Sequence, residues 1–208
     1  MSATTVHLVR HGRTALNAEG RYRGRLDPPL DDVGRAQADE AAASLAGAPL
    51  VAVLASPLVR ATETARPIAA GHDLAVEPLV AVTDLDHGRW TGLTPVEAEA
   101  LDPDGFALFR EDPLACVPPG GEPVAELAAR MREAMRVLAA GFPGADVVVV
   151  THEIPIRVLL ASILALEGSR PWELDVPTGS IAELRIDGDG VSVARMPSER
   201  FGRTGGDR

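Results

Sequence analysis

The chain has 208 residues, 46% of them hydrophobic but only 3% aromatic, which fits one α/β domain with a core built from Ala, Val and Leu. A net charge of −10 disfavours a nucleic-acid partner, and all 20 basic residues are Arg, which removes Lys Schiff-base and P-loop chemistry. The single cysteine, Cys116, excludes an internal disulfide and a Cys-based metal site and fits a reducing compartment. No apolar run reaches the roughly 18 residues needed to span a membrane. The N-terminus lacks a signal-peptide apolar stretch, so a soluble, cytoplasmic protein is expected, with no membrane partner.

In chain order, residues 4–9 read as a buried strand that delivers Arg10-His11-Gly12 into a turn. Residues 11–30 are polar and Gly/Pro-punctuated, and read as a loop folding back over something. Asp31-Asp32 can cap a helix from about 33 to 46. Residues 50–55 make a second buried strand. Ser56-Pro57 reads as the start of the next helix, Ser as cap and Pro at the first position, running to about 70 and carrying Arg60. Residues 76–78 suggest a short third strand. The stretch 84–121 is rich in Gly, Pro and acidic residues. It reads as an inserted lid with one helix near 95–101. Residues 122–141 form an amphipathic helix. Val147 to Val150 is a continuous β-branched run and hence a central parallel strand, ending in Thr151-His152. A helix from about 154 to 167 and a hairpin of 180–186 with 191–195 follow. Residues 1–200 are expected to form the domain and 201–208 a disordered tail. Strands alternating with helices argue for a mostly parallel sheet flanked by helices on both faces, with ligands at the strands' carboxyl ends.

Three of those ends carry chemistry. The first ends in Arg10-His11, the second leads one helical turn on to Arg60, and the third ends in His152. In a parallel sheet they converge on one cleft. A guanidinium binds phosphate oxygens in a bidentate fork, and a neutral imidazole can attack phosphorus or move a proton near pH 7. Singly, a His after a strand is more often structural and Arg60 reads equally as a solvated helix residue; four of them at three strand ends point to an anion-handling site.

The run Arg10-His11-Gly12-x-Thr14-x-x-Asn17 resembles the signature of the histidine phosphatase superfamily, the phosphoglycerate mutase-like family. So do Arg21-Tyr22-Arg23-Gly24, Ser56-Pro57-Leu58-x-Arg60-Ala61, Gly88-x-Trp90-x-Gly92, Pro119-Gly120-Gly121-Glu122 and Thr151-His152-x-x-Pro155-Ile156-Arg157. The resemblance implies that His11 is a nucleophile that becomes phosphorylated. It makes Arg10, Arg60 and His152 the phosphoryl-binding groups, with Asn17, Arg23 and Gly24 on the substrate side. It implies no cofactor and no metal, a small phosphorylated substrate, and a phosphomonoesterase activity; it also admits a homodimer. The general acid is usually a Glu before the Gly-x-Trp-x-Gly segment. Asp84 stands there, with Asp86 and Glu153 as rivals. Arg13 stands where Glu or Gln is usual and is expected to add positive charge beside the pocket, favouring a second anionic group on the substrate. The roles of His87 and of Glu153, which follows His152 where Gly is common, stay open. A phosphoglycerate-type mutase is the alternative activity, disfavoured because 84–121 is short and acidic for a mutase lid. A non-catalytic phosphate-binding protein is a further alternative, disfavoured because the nucleophile is intact.

Overall fold

The computed structural model describes residues 3–188 and 190–197, so the tail expected over 201–208 lies outside the described residues. Strands β1 (Thr4–Arg10), β2 (Leu50–Ala55), β3 (Val76–Pro78), β4 (Asp146–Thr151), β5 (Ile181–Asp187) and β6 (Gly190–Arg195) form one sheet in the order β3-β2-β4-β1-β5-β6. Parallel pairing joins β3 to β2, β2 to β4 and β4 to β1, while β5 and β6 add an antiparallel edge. β4 therefore lies between β2 and β1. The three chemically loaded strand ends are adjacent, with Arg10 in register with Thr151 and Ala55 with Val150.

Side-chain alternation divides the core into two layers. Val6, Leu8, Ala52, Leu54, Val147 and Val149 face helices α4 (Pro95–Leu101), α5 (Pro103–Glu111), α6 (Val124–Gly141) and α7 (Glu153–Ile163). Val9, Val53, Ala55, Val148 and Val150 face α2 (Asp32–Leu45) and α3 (Val59–Ala70). Both faces are covered, which is why the β4 run is apolar without interruption. Each of its four valines is fully buried, a gain of roughly 2 kcal/mol apiece from apolar transfer. No helix among the described residues is long and apolar enough to cross a membrane.

Four expectations need correction. The loop 11–30 contains a short helix, α1 (Ala15–Ala18), closed by a capping box between Thr14 and Asn17. Helix α3 starts at Val59, not at Pro57, and its first N–H is met by Asp27 Oδ1 at 2.7 Å. Segment 84–121 holds α5 as well as α4. Asp102 both ends α4 and caps α5, so the Asp-Pro boundary is a relay between helices rather than the end of ordered structure. Helix α7 stops at Ile163 instead of near 167, and Ala165 adopts a positive φ of 52° two residues on.

Candidate active site

The turn after β1 is fixed from below by an approach that only glycine permits. A Cβ on Gly12 would fall 2.3 Å from the Gly34 carbonyl oxygen, and one on Gly34 would fall 2.0 Å from the Arg13 carbonyl oxygen. The Gly12 N–H donates to Thr64 Oγ1 at 3.0 Å, tying the same turn to α3. His11 is fully buried on this platform. Its Nδ1 lies 2.6 Å from the Gly12 carbonyl, which can only accept, so Nδ1 carries the proton. Nε2 is then the unprotonated nitrogen, and it is buried without a protein partner.

His152 stands beside it, with ring centroids 5.1 Å apart. Its Nδ1 accepts from Arg60 Nε at 3.2 Å, which leaves Nε2–H to donate to Ser56 Oγ at 2.8 Å. The Ser56 hydroxyl thus serves the site rather than capping a helix. Burial, reinforced by Arg60 and the neighbouring guanidiniums, holds both imidazoles well below their ordinary value, so both are neutral at pH 7.

Arg60 is completely buried and donates in four directions: to His152 Nδ1, to the Leu26 carbonyl at 2.6 Å, to the Gly24 carbonyl at 2.9 Å and to Asp84 Oδ2 at 3.1 Å. Gly24 meets Arg60 through its backbone. Asp84 is buried, with its second oxygen on the Leu85 N–H at 3.0 Å, and it also lies 3.8 Å from His152 Nδ1. The segment bearing Asp84 is held from outside by Arg130 of α6, which grips Glu122 through two bonds of 2.6 and 2.9 Å and the carbonyls of Ala81 and Asp84. A Cβ on Gly88 would strike the Pro119 carbonyl at 2.3 Å, so the 119–122 turn packs directly on that segment. Asp86 is spent on the Gly88 N–H at 2.9 Å.

Above these residues opens a pocket of about 850 Å³. Arg10, Arg23, Asp84, Glu153 and Arg157 line its polar side, Tyr22, Phe106, Phe109 and Trp172 its aromatic side, and Asn17 belongs to the lining as well. His11, His152, Arg60 and Gly24 do not line it; they form the layer directly behind Arg10 and Asp84. Arg10 is bonded to the Val176 carbonyl and to Glu153 Oε2 at 2.7 Å. Burial lowers its guanidinium to about 10, against the pull of Glu153, so it stays charged at neutral pH. Asn17 turns its Oδ1 to the Thr14 N–H at 3.0 Å.

Arg13 is not beside the pocket: its Nε meets Asp31 Oδ2 at 2.8 Å, facing α2, so it offers no second anion subsite. His87 does line the pocket, buried against Tyr22 with ring centroids 4.6 Å apart and Nδ1 unpartnered, and burial pushes it down to about 4. Sequence reasoning missed Arg130, Trp172 and Phe109. Arg157 lay within a quoted motif without a role; its i,i+4 spacing from Glu153 is the one signal that could have raised it.

Four buried histidines make stability acid-sensitive. His7, His11, His87 and His152 are each held below the ordinary value of about 6.5, burial being the first cause in every case. The unfolded chain therefore takes up protons near pH 6 that the folded chain refuses. Their contribution is complete above pH 6.5 and is lost as pH falls below it, by up to about 1.4 kcal/mol per pH unit for each of His11, His87 and His152, with a share from His7 in the same direction. Denaturant unfolding at pH 7.5, 6.5 and 5.5 should show this decline; a flat profile would contradict the burial of neutral imidazoles.

Comparison with known proteins places the fold first. The chain superposes on a structure from Bacillus stearothermophilus, YhfR, with a TM-score of 0.89 at 28% identity, covering 96% of this chain and 99% of that one. It matches the mycobacterial glucosyl-3-phosphoglycerate phosphatase Rv2419c with a TM-score of 0.84 at 28% identity, covering 95% and 100%. These likenesses define an α/β fold of the phosphoglycerate mutase-like kind. Residues 6–198 match the histidine phosphatase superfamily (branch 1), and the chain belongs to that family. Among curated relatives, Phosphoserine phosphatase 1 of Hydrogenobacter thermophilus is 31% identical over 86% of this chain and 85% of its own length. The Glucosyl-3-phosphoglycerate phosphatase of Mycobacterium tuberculosis is 34% identical over 80% and 78%. The chain also aligns at 35% identity with Bifunctional protein Rv2228c of Mycobacterium tuberculosis, but spans only 54% of that protein's length.

Proposed function

We propose that this chain is a metal-independent phosphomonoesterase that hydrolyses a small phosphorylated metabolite through a phosphohistidine on His11. One observation carries the reading: His11 presents a buried, unprotonated and unpartnered Nε2, and burial, reinforced by the positive field of Arg60, Arg23 and Arg10, keeps the imidazole neutral. In the first step the Nε2 lone pair attacks phosphorus as the P–O bond to the leaving group breaks, and Asp84 gives the departing alkoxide a proton. In the second, Asp84 takes a proton from water, whose oxygen attacks phosphorus and releases His11 with its lone pair restored. Arg10 and Arg60 stabilise the charge that collects on the equatorial oxygens in both steps, with His152 held beside His11 by Arg60 and Ser56.

The arrangement favours Asp84 over Asp86 as the acid, because Asp84 lines the pocket next to Arg60 while Asp86 is occupied by the Gly88 turn. The family's named phosphatase relatives agree with hydrolysis. The test is release of inorganic phosphate from a panel of phosphorylated metabolites in the presence of a chelator. Steady turnover of at least one ester is expected. Interconversion of phosphoglycerate isomers that depends on a bisphosphate primer, without net phosphate release, would assign the mutase activity instead.

A further inference from the structure

Glu153 is a charged pocket residue that the two-step reaction leaves without a task. It is the first residue of α7, directly after His152, and its carboxylate sits inside the cluster of guanidiniums. Oε2 lies 2.7 Å from Arg10 Nη2 and 3.8 Å from Arg23 Nη2, and Oε1 lies 3.0 Å from Arg157 Nη2. A carboxylate is a planar anion with two oxygens, and it fills the fork that an anionic group of a ligand would otherwise enter.

Arg157 is distinct from the other two. Its guanidinium carbon lies 5.8 Å from the centre of the Trp172 ring, so it stands where the polar side of the pocket meets the aromatic wall. Left alone, Arg157 would make that place attractive to a carboxylate or a second phosphate. Paired with Glu153, its Nη2 is occupied, and a second anion would meet a carboxylate already in place. Of the other cations nearby, Arg13 is turned away onto Asp31, Arg23 faces Glu153 itself, and Arg21 and Arg110 of the pocket lining pair with Glu97 and Glu99.

We infer that Glu153 is a specificity-determining residue: it directs the site to phosphomonoesters whose leaving group is uncharged and can lie against the wall of Tyr22, Phe109 and Trp172. It disfavours esters with a second anion on the leaving group. The inference rests on the phosphomonoesterase reading and names the substrate class of that same site. A carboxylate placed against the anion of the wrong substrate discriminates by repulsion, whereas removing it exposes Arg157 as an attractive partner.

The experiment uses a matched pair, glycerol 3-phosphate and 3-phosphoglycerate, which differ by a hydroxymethyl group in place of a carboxylate. The wild-type chain should favour glycerol 3-phosphate by about tenfold or more in kcat/KM. In Glu153→Gln that preference should shrink by at least about tenfold, chiefly through a lower KM for 3-phosphoglycerate, and the double variant with Arg157→Gln should lose the gain. Equal use of both esters by the wild type, or an unmoved ratio in Glu153→Gln, overturns the inference. So does a parallel loss on both esters, which would make Glu153 a support for Arg10 only. Calorimetric binding of 3-phosphoglycerate to the wild type and to Glu153→Gln gives the same contrast without turnover. Tighter binding by the variant supports the inference even if no ester is hydrolysed, a result that would defeat the phosphomonoesterase reading alone; unchanged or weaker binding overturns it.

Discussion

His11→Ala should abolish phosphate release, lowering kcat by about ten-thousand-fold or more while leaving the chain folded. The size follows from the lack of a substitute. The neighbouring imidazole cannot take over, because His152 accepts from Arg60 at Nδ1 and holds its proton at Nε2 toward Ser56. Arg10, Arg23 and Arg60 persist in the variant, so substrate still binds and KM should move far less than kcat. Rapid quenching of the wild type during turnover should trap an acid-labile phosphoryl group, and the variant should trap none. Turnover within tenfold of wild type, or a phosphoryl group recovered on another side chain, would remove His11 from its assigned role. Circular dichroism and the unfolding midpoint separate chemistry from folding, since the alanine leaves a small void against the His152 ring.

Asp84→Asn should show the second largest effect, and its dependence on the leaving group is the diagnostic part. With an alkyl phosphate, whose alkoxide must be protonated as it departs, the loss should be roughly a hundredfold to ten-thousand-fold. With p-nitrophenyl phosphate, whose phenolate leaves unaided, phosphorylation of His11 should be slowed much less. The amide keeps an oxygen for Arg60 Nη2, so the guanidinium is not stripped of a partner as it would be by alanine. Asp86→Asn is the control, because that carboxylate faces the Gly88 N–H instead of the pocket. Equal losses with both leaving groups in Asp84→Asn, or the selective pattern in Asp86→Asn, would transfer the proton-donor role.

What the sequence discloses about this molecule tracks how local each cause is. The β4 run and the 50–55 strand were legible because a central parallel strand has to be apolar on both faces, and both strands appear where expected. Arg10, His11, Arg60 and His152 could be gathered from position alone, since each follows a strand in a parallel sheet and β1, β4 and β2 are neighbours. Two errors share another origin: the decisive partner was distant in sequence. Ser56 looks like a helix cap, but its hydroxyl is taken by His152 and the capping role passes to Asp27. Arg13 looks like part of the pocket because it adjoins His11 and Gly12, yet it pairs with Asp31 on α2. The aromatic wall was unreadable for the same reason, whereas helix α5 was hidden by a local ambiguity, Asp102-Pro103 reading as a stop while it serves as a start. Trp172 donates to the Phe109 carbonyl across 63 residues, at 2.6 Å, and no local pattern announces such a meeting.

Arg60 bears on how such a site can change over time. One guanidinium joins helix α3 to the loop at 24–26, the Asp84 segment and the end of β4. These four stretches drift independently as text, yet they answer to a single side chain. A lysine there could satisfy at most three of the four acceptors, and it lacks the flat fork that reaches them in different directions. Inheritance at this position is therefore close to all or none, whereas the aromatic wall above it, held by pairwise ring contacts, can be revised one residue at a time. A lineage that needs a new substrate would be expected to rewrite the wall and leave the knot beneath it untouched.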